Sequence, residues 1–141
     1  MSGCQIGIVA SAALALAACA STAEYTSPSQ CARGEPMVET QLFFGLNKPT
    51  GGVVSAQQWA QFVADEVTPR FPEGFSVIDS AGFWRDGATQ RTVSEQSKVV
   101  VRLHPRGSLA DAAIKDIIAA YKIRFAQEAV LRVDRAVCAT F

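Results

Sequence analysis

Several kinds of residue and pattern are scarce in this 141-residue chain, and each scarcity narrows what it can be. It has a single histidine, His104, and its four cysteines, Cys4, Cys19, Cys31 and Cys138, include no CxxC pair of the kind used by zinc ribbons and thioredoxin-like redox sites. No excess of one charge exists. Thirteen basic and thirteen acidic side chains cancel, whereas a general binder of nucleic acid would be basic. No internal repeat is visible, and no stretch carries a catalytic, metal-binding or cofactor-binding signature. The expectation is therefore no metal, no cofactor and no nucleic-acid partner.

The longest apolar run, Ile6 to Ala20, is about 15 residues, too short to span a bilayer and of the length of a signal-peptide core. Inside it, Leu16-Ala17-Ala18-Cys19 resembles the lipobox of bacterial lipoproteins, which implies lipidation at Cys19 after removal of residues 1–18. Ala20 after the cysteine fits outer-membrane sorting facing the periplasm in a Gram-negative cell. The segment Met1 to Gln5 departs from the pattern because it has no Lys or Arg. Ala18-Cys19-Ala20 also satisfies the small-x-small rule of an ordinary cleaved signal, so a secreted form is the alternative. Both readings export the domain, and the lipidated form would sit in the cell envelope. Residues 19–37, rich in Ser, Thr, Ala and Pro, read as a lipidated cysteine followed by a flexible tether.

Residues 38–141 read as one domain. Val38 to Phe44 has strand composition, and Ser55 with Gln58 forms a capping box for a helix that Thr68-Pro69 ends. Phe75 to Arg85 and Val93 to Leu103 are two strands of a long hairpin. A tight turn at Asp86-Gly87 and a longer loop through Gln90 give different registers, and both stay open. Ser108 is the expected cap of a second helix, whose buried stripe is Ile114, Ile117, Ile118, Tyr121 and Phe125. Val130 to Val137 closes the chain. The order β-α-β-β-α-β is that of a ferredoxin-like sandwich, an antiparallel four-stranded sheet with two helices on one face. In that topology the end of the last strand lies beside the start of the first. A Cys31–Cys138 disulfide is then geometrically reasonable in an exported protein, the alternative being two free thiols.

The stretches Thr40-Gln41-Leu42-Phe43-Phe44-Gly45, Val67 through Gly74, Trp84-Arg85, Glu95-Gln96-Ser97-Lys98 and Tyr121 through Val133 resemble a family of exported bacterial domains, domain of unknown function 3574. Members are often lipoproteins, which agrees with the lipobox. The resemblance implies no reaction.

Alternation along the third strand puts Glu95, Ser97, Val99, Val101 and Leu103 on one face and Lys98, Val100, Arg102 and His104 on the other. With the first set packed under the helices, Lys98, Arg102 and His104 would line the open face. Arg132 could join them, and Trp84 is either core or a stacking surface. The expected function is a non-enzymatic, membrane-tethered module that binds an anionic small molecule or an envelope protein through this face, with no residue assigned as catalytic. The alternatives are a small enzyme using the same residues and a homodimer whose facing sheets enclose the site.

Overall fold

The computed structural model describes residues 31–141; Cys19 and the rest of the expected signal and lipidation segment lie outside the described residues. Strand β1 (Glu35–Gly45) leads to helix α1 (Ala56–Phe62), which runs on as a π-helical segment (Val63–Val67). The hairpin strands β2 (Ser76–Arg85) and β3 (Thr92–His104), helix α2 (Ser108–Phe125) and strand β4 (Leu131–Ala139) follow. The sheet order is β2-β3-β1-β4 and every pairing is antiparallel, a ferredoxin-like α+β sandwich as expected.

Strand β1 begins before Val38, inside the segment read as tether. Glu35, Pro36 and Met37 pair with Ala139, Cys138 and Val137 of β4, whereas the ladder to β3 starts only at Val38. Pro36, which has no amide to donate, is therefore tolerated where the strand has one neighbour. Cys31 and Cys138 form the disulfide, with Cα atoms 5.6 Å apart.

The Ser55–Gln58 capping box forms, with the Gln58 amide donating to Ser55 Oγ at 3.2 Å and the Ser55 amide to Gln58 Oε1 at 3.0 Å. The π-helical turn, seen in the 2.9 Å bond from the Thr68 amide to the Val63 carbonyl, lets Phe62 and Val67 both face the core at a spacing of five residues. Helix α2 differs from expectation at its start. Ser108 is its first residue, and Gly107, in extended backbone, occupies the cap position without a side-chain cap bond. The hairpin takes the longer loop: Arg85 pairs with Thr92, and Gln90 adopts a positive φ of 58°.

Between sheet and helices lies an aromatic core. Phe44 meets Trp59, Phe62 and Tyr121 at ring-centroid distances of 5.4, 5.8 and 4.7 Å, in tilted or edge-on arrangements that suit ring quadrupoles. The Tyr121 hydroxyl donates to the Gly45 carbonyl at 2.8 Å, so its polar end is satisfied where the ring is buried. Burial pushes the Tyr121 phenol well above its ordinary pKa, and the Glu95 charge adds to the shift.

Candidate functional site

The face of the sheet that packs on the helices carries Leu42, Phe44 and Val100 into the core. Lys98 and Arg102 alternate with Val100 along β3, and His104 follows, so these three side chains share the helix side and not the open face. The expected placement is thereby corrected. Glu95, Ser97, Val99, Val101 and Leu103 face the side that no helix covers, where Val99 is nonetheless buried between its neighbours. The more apolar half of the strand is turned outward because the helices cover only its middle, where Val100 is wholly buried, while the polar residues beside it find partners.

Each of those partners is identifiable. Lys98 pairs with Asp79 directly opposite on β2. Arg102 has a side chain nine-tenths buried; it donates to the Arg70 carbonyl at 3.1 Å, pairs with Glu73 at 2.5 Å and lies over the Phe71 ring, 4.3 Å from its centroid. Its Nε is buried without a hydrogen-bond partner. Trp84 lies on the uncovered face, half-exposed near the hairpin end. Arg132 holds Asp111 at 2.6 Å and Asp134 at 2.9 Å, tying β4 to the first turns of α2.

His104 is buried and linked across the sheet. The Thr40 hydroxyl donates to Asp134 Oδ1 at 2.5 Å, and Thr40 Oγ lies 2.9 Å from His104 Nε2. With its proton directed at Asp134, Thr40 Oγ accepts from Nε2. His104 Nδ1 lies 2.8 Å from the Pro105 carbonyl, which also accepts. Both ring nitrogens thus lie against oxygen atoms of other groups. Burial raises the pKa of Asp134, but hydrogen bonds from Thr40 and Arg132, aided by the Arg132 and His104 charges, hold it below the usual carboxylate value. The structural consequence is that His104 anchors the turn from β3 into α2.

That turn separates two cavities. The larger, about 600 Å³, is walled by Pro69, Arg70, Pro72 and Glu73 after α1, by Arg102, which pairs with Glu73, and His104 at the end of β3, and by Gly107, Leu109 and Ala110 at the start of α2. The smaller, about 320 Å³, is lined by His104, Asp111, Arg132 and Asp134. Arg106 and Gly107 line both. Among the described residues Arg106 forms no ion pair. The first turn of α2, whose cap residue Gly107 supplies no side-chain bond, lines the larger cavity, so the positive end of the helix dipole falls at its rim. With Arg102 paired to Glu73 and Arg70 to Glu66, the Arg106 charge and the apolar walls suit a small molecule with an anionic end, and the volume lies in the range of small-ligand sites.

Of the residues singled out from sequence, Arg102 and His104 line the larger cavity, and His104 and Arg132 the smaller; Lys98 and Trp84 join neither. Sequence reasoning passed over Arg106, Gly107, Thr40 and Asp134 as a group. A basic residue and a glycine between a strand and a helix were one available signal. Another was Thr40, a hydroxyl in phase with Leu42 and Phe44 and therefore destined for burial with a partner. Among the described residues no group of three or more His, Cys, Asp or Glu side chains could hold a metal ion, and no helix is long and apolar enough to cross a membrane.

Fold and site together define an α+β sandwich domain with a cavity of mixed cationic and apolar lining at the start of its second helix. The chain belongs to the family described as Protein of unknown function (DUF3574), matched over residues 39–141. No curated protein matches it. Among solved structures it is similar to a phage SAM lyase in complex with S-methyl-5'-thioadenosine, at 15% identity and a TM-score of 0.51, covering 78% of this chain and 95% of that one. The apo phage SAM lyase gives 18% identity and a TM-score of 0.50, covering 74% of this chain and 90% of that one. At such identity the likeness shows the fold alone.

Proposed function

We propose that this chain is an exported, membrane-tethered binding module that holds a small phosphate- or carboxylate-bearing molecule in the cavity at the start of α2. One observation carries the reading: Arg106, free of ion pairs among the described residues, stands beside the uncapped first turn of α2 at the mouth of a cavity of about 600 Å³. The apolar walls from Pro69, Pro72 and Leu109 favour a ligand with an apolar body behind its anionic group. The tether rests on Leu16-Ala17-Ala18-Cys19; Cys19→Ala is expected to release the protein from the membrane fraction, and retention there contradicts the anchor.

Thermal unfolding of the purified protein with inorganic phosphate and with acetate, at low ionic strength, tests the site. A ligand at a hundred times its Kd stabilises the folded state by about 2.7 kcal/mol. Stabilisation of wild type that is lost in Arg106→Ala supports the reading, and equal stabilisation of both rejects it. A second reading, an enzyme at the same place, is favoured by the hydrogen-bonded chain Asp134–Thr40–His104, which joins the two cavities and is suited to moving a proton. Two similar solved structures are of a phage SAM lyase, which supplies a precedent for chemistry on such a fold. Recovery of a bound ligand unchanged after incubation supports plain binding; recovery of a product supports the enzyme.

A further inference from the structure

Among the described residues Glu73 is the one carboxylate on the wall of the larger cavity, and it is bonded to Arg102. The pair is lopsided. The Glu73 side chain is 76% exposed, whereas that of Arg102 is only 10% exposed. Glu73 reaches in from the third position of a turn, closed where the Gly74 amide donates to the Phe71 carbonyl at 3.0 Å. One of its oxygens meets Arg102 Nη2, while Arg102 Nε stays buried without a partner. A carboxylate aligned with one edge of a guanidinium bonds two of its nitrogens at once, which Glu73 does not do here. The guanidinium does not depend on Glu73 for its place. It lies over the Phe71 ring, 4.3 Å from the centroid, and donates through Nη1 to the Arg70 carbonyl at 3.1 Å.

We infer that Arg102 is a second anion subsite of this cavity, occupied by Glu73 until a ligand carboxylate replaces it, so that the ligand carries two anionic groups. The inference rests on the reading that Arg106 holds the first of them. Charge agrees. Of the three arginines on the wall, Arg70 is paired with Glu66 and Arg102 with Glu73, and Arg106 has no ion pair among the described residues. Turning Glu73 out to solvent leaves two uncompensated cations, which a dianion balances and a monoanion does not. The exchange costs little, because an ion pair with one partner mostly in water contributes little to stability. A ligand carboxylate that meets both Nε and Nη2 also satisfies a donor that is now orphaned.

Calorimetric titration of the purified protein at low ionic strength with succinate, and with butyrate as its singly charged match, tests this. Succinate is expected to bind wild type about tenfold tighter than butyrate, and Arg102→Gln to remove that preference. Glu73→Gln is expected to tighten succinate binding by roughly two- to fivefold. Equal affinity of wild type for the two compounds, or a preference kept in Arg102→Gln, overturns the inference. In that case butyrate binding that is lost in Arg106→Ala leaves the cavity reading standing, whereas no binding of either compound rejects both. Should Arg102→Gln fail to fold, the Arg102 Nε–H resonance in Glu73→Gln decides: it is expected to shift saturably with succinate, and succinate binding that leaves it unmoved overturns the proposal.

Discussion

Removing the Cys31–Cys138 bond should cost this small domain much of its stability. The bond spans 107 residues, and the chain-entropy model gives about 4.8 kcal/mol at 25 °C for a loop of that length. Little of this should be offset by relaxation of the folded state, because Cys138 already sits in the β1–β4 ladder opposite Pro36 and the two Cα atoms are 5.6 Å apart. The assay is urea unfolding of oxidised wild type against Cys31→Ser/Cys138→Ser. With a slope of about 1.5 kcal/mol per molar urea, the midpoint should fall by about 3 M. In a thermal scan the drop should be on the order of 20 °C. A loss below about 1 kcal/mol would refute the reasoning, since it would mean that the bridge does not restrict the unfolded chain.

Thr40→Val keeps the shape of a fully buried side chain but removes the hydroxyl between His104 and Asp134; the expected cost is about 1–3 kcal/mol by the same urea assay, and a neutral result would show that the link contributes nothing. Asp134 is held below its unfolded value near 3.9, so in acid the unfolded chain binds the extra proton first; the stability from this carboxylate is present above that pH and is lost as pH falls through the folded pKa. Asp134→Asn should therefore show a shallower loss of stability in acid than wild type, and superimposable acid limbs would contradict the assignment. In Gly45→Ala the new Cβ would stand 2.6 Å from Glu95 Oε1, forcing the carboxylate off the Asn47 amide that it accepts at 2.8 Å; a loss of about 1 kcal/mol in unfolding free energy is expected.

Much of the fold was legible because local signals agreed with one another. Ser55 and Gln58 announced α1, Thr68-Pro69 its end, and the spacing from Ile114 to Phe125 the buried stripe of α2. The Cys31–Cys138 pairing followed from topology. What alternation could not supply was which face of β3 the helices cover. Period two tells which residues travel together, and the more apolar set, Val99, Val101 and Leu103, invited the inward choice. Inward burial instead needed only Val100, because the flanking Lys98, Arg102 and His104 are satisfied by Asp79, Glu73 and Thr40, partners contributed by other segments. The site escaped for a related reason: Arg106 and Gly107 matter through the helix end and cavity that they adjoin, which appear only once α1, β3 and α2 are packed.

The central claim is that an anion is held at the start of α2, and amide-resolved NMR titration with inorganic phosphate at low ionic strength tests it most directly. The account predicts saturable shifts at the Leu109 and Ala110 amides and at Arg106 Nε, abolished by Arg106→Ala. Shifts centred instead on Lys98 and Trp84, or no saturable shift around Gly107, would contradict it.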